Sequence, residues 1–167
     1  LEYVGEAAFA FCRNIVSLSF SNKLKIVEDK AFSSCAQLKN VNLPDSLISL
    51  GSFAFSTCSS LQSIEIPSLI REINNSTFLY CKNLENVVLP NDLKEIHNNA
   101  FEYCTKLKTI KIPSSITAIG NATFANCVNL DSVHLPSSVN LIGSYAFRNC
   151  TNLKAINLES VQHIDKY

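Results

Sequence analysis

The chain has 167 residues, and its 14 lysines and arginines balance its 14 aspartates and glutamates, so the formal net charge is zero. This balance argues against a nucleic-acid-binding protein, which normally carries an excess of basic residues. Hydrophobic residues make up 47% of the chain, which is enough for a packed core and excludes a disordered segment. The sequence does not begin with methionine, and we interpret it as an excerpt of a longer chain.

Seven cysteines recur along the chain at one constant step, the interval that separates Cys12 from Cys35. Disulfide frameworks and metal sites show clustered, unequal spacings, whereas a constant step indicates a repeat. The same step places a phenylalanine three residues before every cysteine and apolar residues three, six and eight residues after it. The cysteines are Cys12, Cys35, Cys58, Cys81, Cys104, Cys127 and Cys150.

Two kinds of apolar spacing follow one another within each unit. Between Val4 and Ile15 the apolar residues are separated by steps of four, one, three and three, which is typical of a short helical stretch. Between Leu18 and Phe20 the step falls to two, which predicts a strand of about three to five residues. A second apolar pair, as at Leu47 and Leu50, indicates a weaker extended segment before the next unit. In five units the strand is closed by Pro44, Pro67, Pro90, Pro113 or Pro136.

A single unit is too short to bury its own apolar face, but stacked units can do so, each contacting only its neighbours. The pattern C-x2-L-x2-[VI]-x-[LI]-P-x2-[LI]-x2-[IL]-x3-[AT]-F-x2-C resembles the leucine-rich repeat of the BspA-like type. The resemblance implies an α/β repeat fold: a right-handed solenoid with a parallel sheet of short strands on one face and short helical turns on the other. We expect residues 1–167 to form a single solenoid of seven repeats, excerpted from a longer array.

The cysteine column has three interpretations. The thiols are reduced and act as small buried fillers, neighbouring coils are joined by disulfides, or the column binds metal. Parallel Cβ vectors on adjacent coils do not converge as a disulfide requires, and no histidine or carboxylate shares the column. We therefore favour packing.

The sequence contains none of the common catalytic motifs. The three histidines, His97, His134 and His163, lie at different positions of the repeat and cannot converge on one site. We predict that the protein is not an enzyme and uses no metal or other cofactor.

The strand face is the predicted site for a protein ligand. Residues seven positions after each cysteine should point to solvent, because they alternate with the inward apolar residues. They differ chemically from unit to unit, while the residues five positions after the cysteine are all small. The alternative is that exposed strand positions vary freely. The candidate binding residues are Asn42, Glu65, Val88, Lys111, His134 and Asn157.

A second strand-face column alternates in charge. Glu85, Lys108, Asp131 and Lys154 follow one another at the repeat step. We expect each to pair with the opposite charge on the next coil and so to support the register of the stack.

The family resemblance suggests a function and a location. BspA-like proteins are commonly linked to adhesion, which implies a cell-surface or secreted module that binds host or matrix proteins. The alternatives are a scaffold or spacer array and a targeting module attached to another domain. We expect no nucleic-acid partner and no membrane insertion by this segment. The apolar ends of a stack also make end-to-end self-association a hypothesis.

Overall fold

The computed structural model describes residues 1–166, which coil into a parallel-strand solenoid of about seven turns. Two short strands form in each complete turn, so the solenoid has two strand rows. The strands are β1 (Tyr3–Val4), β2 (Ser17–Ser19), β3 (Ile26–Val27), β4 (Asn40–Asn42), β5 (Ser49–Leu50), β6 (Ser63–Glu65), β7 (Glu72–Ile73), β8 (Asn86–Val88), β9 (Glu95–Ile96), β10 (Thr109–Lys111), β11 (Ala118–Ile119), β12 (Ser132–His134), β13 (Leu141–Ile142), β14 (Ala155–Ile156) and β15 (His163–Ile164).

The strands pair in parallel with the register of the repeat. In the even-numbered row Ser63 pairs with Asn86, and in the odd-numbered row Val4 pairs with Val27. The last pairing, from Leu141 to His163, falls one residue short of the repeat step because the final unit is shorter by one residue. The second row corresponds to the weaker extended segment expected from the sequence. The right-handed sense of the coil stays a prediction.

The expected helical turns are wrong for residues 1–166, where the segment before each cysteine is a series of tight turns. In the second coil, Lys30 and Phe32 donate their backbone N–H groups to the next coil at 2.8 and 2.9 Å, whereas Ala31 and Ser33 donate to carbonyls three residues back. A helix instead requires every N–H to bond four residues back within the segment. Lys30 and Ser34 also have φ values of 58° and 61°, in the left-handed region. Apolar spacing alone does not show this alternation.

A column of phenylalanine rings forms the centre of the core. Successive rings lie parallel, with centroids 5.4 to 6.0 Å apart, and the five interior rings are fully buried. Burying each aromatic side chain stabilises the fold by about 1.5–3 kcal/mol. The buried rings are those of Phe32, Phe55, Phe78, Phe101 and Phe124.

The cysteine column packs beside these rings as free thiols, which agrees with the packing interpretation. From the second coil onward, each Sγ donates a hydrogen bond of 3.1 to 3.4 Å to a phenylalanine carbonyl on the preceding coil. Cys104, for example, donates to the carbonyl of Phe78. The cysteine therefore fills the core and also links one coil to the next.

A tight turn follows each strand of the even-numbered row and leads the chain to the other row. The carbonyl of Pro44 accepts the N–H of Leu47 at 3.0 Å, and the other four prolines accept the equivalent bond. In the first coil Ser21 and Leu24 form the same bond at 3.2 Å. Proline therefore favours this turn without being required for it.

Candidate protein-recognition face

The even-numbered strands place five of the six predicted binding residues in one exposed row. Each of the five is the last residue of its strand, and the residue before it points into the core. Glu65 pairs in register with Val88, and Lys111 pairs with His134, so these side chains lie side by side along the stack. We call this row the recognition row: Asn42, Glu65, Val88, Lys111 and His134.

Asn157, the sixth predicted residue, is engaged in the structure. Its side-chain oxygen accepts the N–H of Leu135, and its side-chain nitrogen donates to the carbonyl of Leu135, both at 2.8 Å. Strand β14 stops one residue earlier than its neighbours, and the amide of Asn157 continues the ladder in place of the backbone. The same repeat position thus serves a different role in the last coil, and we leave Asn157 out of the recognition row.

Small side chains separate the recognition row from the next exposed row. The residues two positions earlier on each strand are all exposed, and none is larger than asparagine or threonine. Buried residues between the two rows hold the backbone in place, as Ile64 and Ile110 do. The face is therefore a rigid platform on which the recognition row stands out. The small residues are Ser17, Asn40, Ser63, Asn86, Thr109, Ser132 and Ala155.

The expected alternation of ion pairs on this face is wrong. Among residues 1–166, Lys108, Asp131 and Lys154 belong to no ion pair. Glu85 pairs at 3.5 Å with Lys106, which lies outside that column. Exposed pairs are worth about 0–1 kcal/mol, which is too little to hold long side chains in line along the column.

The interior cysteines are buried, and their environment disfavours the reactive thiolate form. Burial disfavours the thiolate and raises the pKa of Cys81 to about 12 and that of Cys104 well above its usual value. Nucleophilic and metal-binding cysteines need the opposite shift. Within residues 1–166 no group of three or more histidine, cysteine or acidic side chains is arranged to hold a metal ion.

The histidines lie apart, as their repeat positions indicate. His97 lies on the odd-numbered row, with its Nε2 atom 3.4 Å from carboxylate oxygens of both Glu72 and Glu95. His163 lies in strand β15 of the last coil, and its Nε2 atom contacts Asp165 at 3.0 Å. His134 alone belongs to the recognition row.

Comparison with known proteins identifies the repeat. The family model described as BspA type Leucine rich repeat region, in six copies, matches residues 2–131 and 71–167. The chain belongs to the BspA-type leucine-rich repeat family. Proteins with leucine-rich repeats generally bind other proteins and are generally non-catalytic.

Solved structures share the fold of this BspA-type chain. A leucine-rich repeat protein of T. pallidum is 30% identical, with a TM-score of 0.81 over 90% of this chain and 71% of that one. One from Bacteroides ovatus is 25% identical, with a TM-score of 0.64 over 89% of this chain and 50% of the other. A leucine rich cell surface protein from Faecalibacterium prausnitzii, 17% identical with a TM-score of 0.55, covers 93% and 76% and shows the fold alone. No curated protein matches the sequence.

The BspA-type coils also form a depression beside the recognition row that the sequence did not indicate. It has a volume of about 560 Å³, and its lining includes Glu65, Val88 and Pro67. Asp45 and Asp92 also line it. Both aspartates lie in the turn that follows a strand of the even-numbered row. They occupy different positions of the repeat, so counting along the sequence does not place them together, and only the folded turns bring them beside the recognition row.

Residues 1–166 form strands and turns, and no helix suited to spanning a membrane occurs among them.

Proposed function

We propose that the recognition row binds a protein partner and that the array acts as a non-enzymatic adhesin for host or matrix proteins. The observation that supports this most directly is the row itself. Five chemically different side chains are exposed and lie in line on a platform of small residues. A rigid scaffold that presents variable side chains suits specific protein recognition, because little conformational freedom is lost on binding.

Partner chemistry varies along the recognition row. Glu65 and Lys111 carry opposite charges on either side of Val88, which is 55% exposed and apolar. A partner that meets this row needs an apolar group between groups of opposite charge. The zero net charge of the chain and the mixed signs on this face argue against a nucleic-acid partner.

We also propose a cell-surface or secreted location for the whole protein. The family resemblance supports it, and one protein with this fold is described as a cell surface protein. Free thiols are compatible with the outside of cells that live without oxygen. We further propose that residues 1–167 are one continuous solenoid within a longer array.

The test is attachment to immobilised fibronectin, laminin and collagen and to host epithelial cells. A variant with Glu65→Ala, Lys111→Ala and His134→Ala should keep its circular dichroism spectrum and lose attachment by about tenfold or more, since central interface residues dominate affinity. Unchanged attachment by the folded variant would exclude this face as the site.

A matched control replaces three exposed residues of the odd-numbered side, with Lys25→Ala, Lys94→Ala and Asn140→Ala. This variant should attach like the wild-type chain. If the wild-type chain attaches to none of the matrix proteins or cells, the adhesin proposal is contradicted and a spacer array or a targeting module becomes the better interpretation.

End-to-end self-association is a further proposal for the last coil. An apolar cavity of about 550 Å³ opens there, lined by Phe147 and Ile156 among others, and Ile164 is 54% exposed. Residues at these repeat positions are covered by the next coil elsewhere in the stack. The first coil of a second copy carries the same repeat pattern and could cover this surface in the same way.

A further inference from the structure

The recognition row carries opposite charges at equal distances on the two sides of its middle residue. Val88 lies in the fourth coil, with Glu65 one coil before it and Lys111 one coil after it. A twofold axis that runs along β8 reverses the order of the coils and keeps each row in place. Two copies related by this axis would therefore set Glu65 of one opposite Lys111 of the other, twice, with Val88 facing Val88 between them.

In the parallel row three residues earlier, one pair of charges at equal distance from the fourth coil is complementary in the same way. Lys39 lies two coils before Glu85, and Asp131 lies two coils after it. The same twofold axis therefore brings Lys39 of one copy opposite Asp131 of the other. Glu85 would face Glu85 of the second copy. Lys106 lies 3.5 Å from Glu85 within each chain and offsets the like charge.

The four charged residues that would pair across the axis have no ionic partner within the described part of their own chain. Among residues 1–166, none of Lys39, Glu65, Lys111 and Asp131 belongs to an ion pair. The row of small residues between them would leave no bulky side chain in the way. Charges that have no partner in one chain and that complement the same face of a second chain fit an isologous interface.

From these observations we propose that the strand face binds a second copy of this chain, in a twofold dimer with the coils running in opposite directions. The proposal rests on the proposed function only in that both take the strand face as a protein-binding surface. The strand face is about seven strands wide at a spacing of about 4.8 Å, and about five residues long at about 3.3 Å each. Its area, which the interface would bury, is roughly 500 Å² per copy. The total of roughly 1,000 Å² lies at the lower limit for specific interfaces, so the dimer should be weak and reversible.

The test is sedimentation equilibrium of the whole chain over a range of concentrations. The wild-type chain should dimerise, and raising the salt from about 0.05 M to about 0.5 M should weaken the dimer, because the interface pairs are charged. Glu65→Lys alone and Lys111→Glu alone should each weaken it by about tenfold or more, since the twofold axis makes every reversal count twice. The double variant with both reversals should restore the wild-type dissociation constant.

Each other outcome would overturn the dimer. A chain that stays monomeric at all concentrations would do so. So would a dimer unaffected by the single reversals, which would place the contact at the ends of the stack, and so would a double variant as weak as the single ones. The proposed function is judged separately, because the attachment assay measures binding to a foreign protein, which competes with the weak, reversible dimer for the same face. The charge-exchanged double variant should dimerise and yet lose attachment.

Discussion

The cysteine column should make the fold lose stability at alkaline pH. Five interior thiols are fully buried, and burial raises the pKa of each: Cys35, Cys58, Cys81, Cys104 and Cys127. In the unfolded chain the same thiols ionise near pH 8.5, at about their ordinary pKa. The folded state therefore retains protons that the unfolded state loses. The stabilisation is complete below about pH 8.5 and is lost as the pH rises above it.

The loss can be estimated for each thiol. A pH of 10 is about 1.5 units above the pKa of the thiol in the unfolded chain. Ionisation there stabilises the unfolded state and lowers the free energy of unfolding by about 2 kcal/mol for each thiol. Five such thiols lower the free energy of unfolding by about 10 kcal/mol, which is comparable with the total stability of a typical domain, about 5–15 kcal/mol. The free energy of unfolding should then fall by about 7 kcal/mol per pH unit above pH 9.5. We expect cooperative unfolding near pH 10.

Urea denaturation followed by circular dichroism, in a reducing buffer at a series of pH values, would measure this slope. A double variant with Cys81→Ala and Cys104→Ala should retain about three-fifths of it, since three of the five thiols remain. Cys12→Ala is the matched control, because Cys12 is exposed and its removal should leave the slope unchanged. Equal slopes for the wild-type chain and the double variant would refute the reasoning, since lysine and tyrosine titration is common to both.

Two further predictions concern packing. Phe101→Ala should lower the free energy of unfolding by about 3–5 kcal/mol through the cavity it leaves, while Phe9→Ala, at a ring 42% exposed in the same column, should cost clearly less; equal losses in urea denaturation would contradict the ladder. Gly51→Ala would place a Cβ in collision with the backbone nitrogen of Asp29 and should lower the melting temperature, with a cost of about 1–3 kcal/mol. Gly5→Ala, whose Cβ would meet only a side-chain atom at 3.4 Å, should leave the melting temperature nearly unchanged or raise it.

Much of the fold could be predicted from the sequence because one contact pattern is repeated seven times. The constant repeat step identifies the residues that stack, so the buried columns of Phe101 and Cys104 follow from counting. The same counting places Glu65 and Lys111 on one row. The prediction of a helical stretch is wrong because apolar spacing alone suits a helix. In the structure every second N–H group of this stretch bonds to the adjacent coil, as the N–H of Lys30 does to the carbonyl of Ser52.

Details that depend on side-chain geometry could not be predicted. Asn157 shares the repeat position of the recognition row, but the early end of β14 leaves a backbone N–H and a carbonyl for its amide to bind. Glu85 and Lys106 belong to different columns, and only their three-dimensional positions bring them to 3.5 Å. Asp92 reaches the depression beside the row through the fold of a turn.

The sequence by itself determined the repeat, the family, the core columns and the exposed rows, because in a solenoid each unit contacts only its neighbours and periodicity translates directly into position. The tertiary structure decided how each coil closes. It replaced helices by tight turns, since alternate N–H groups bond to the adjacent coil, and it showed which charges of the strand face have no partner. Those choices depend on distances between coils, which the spacing of residues along one chain does not contain.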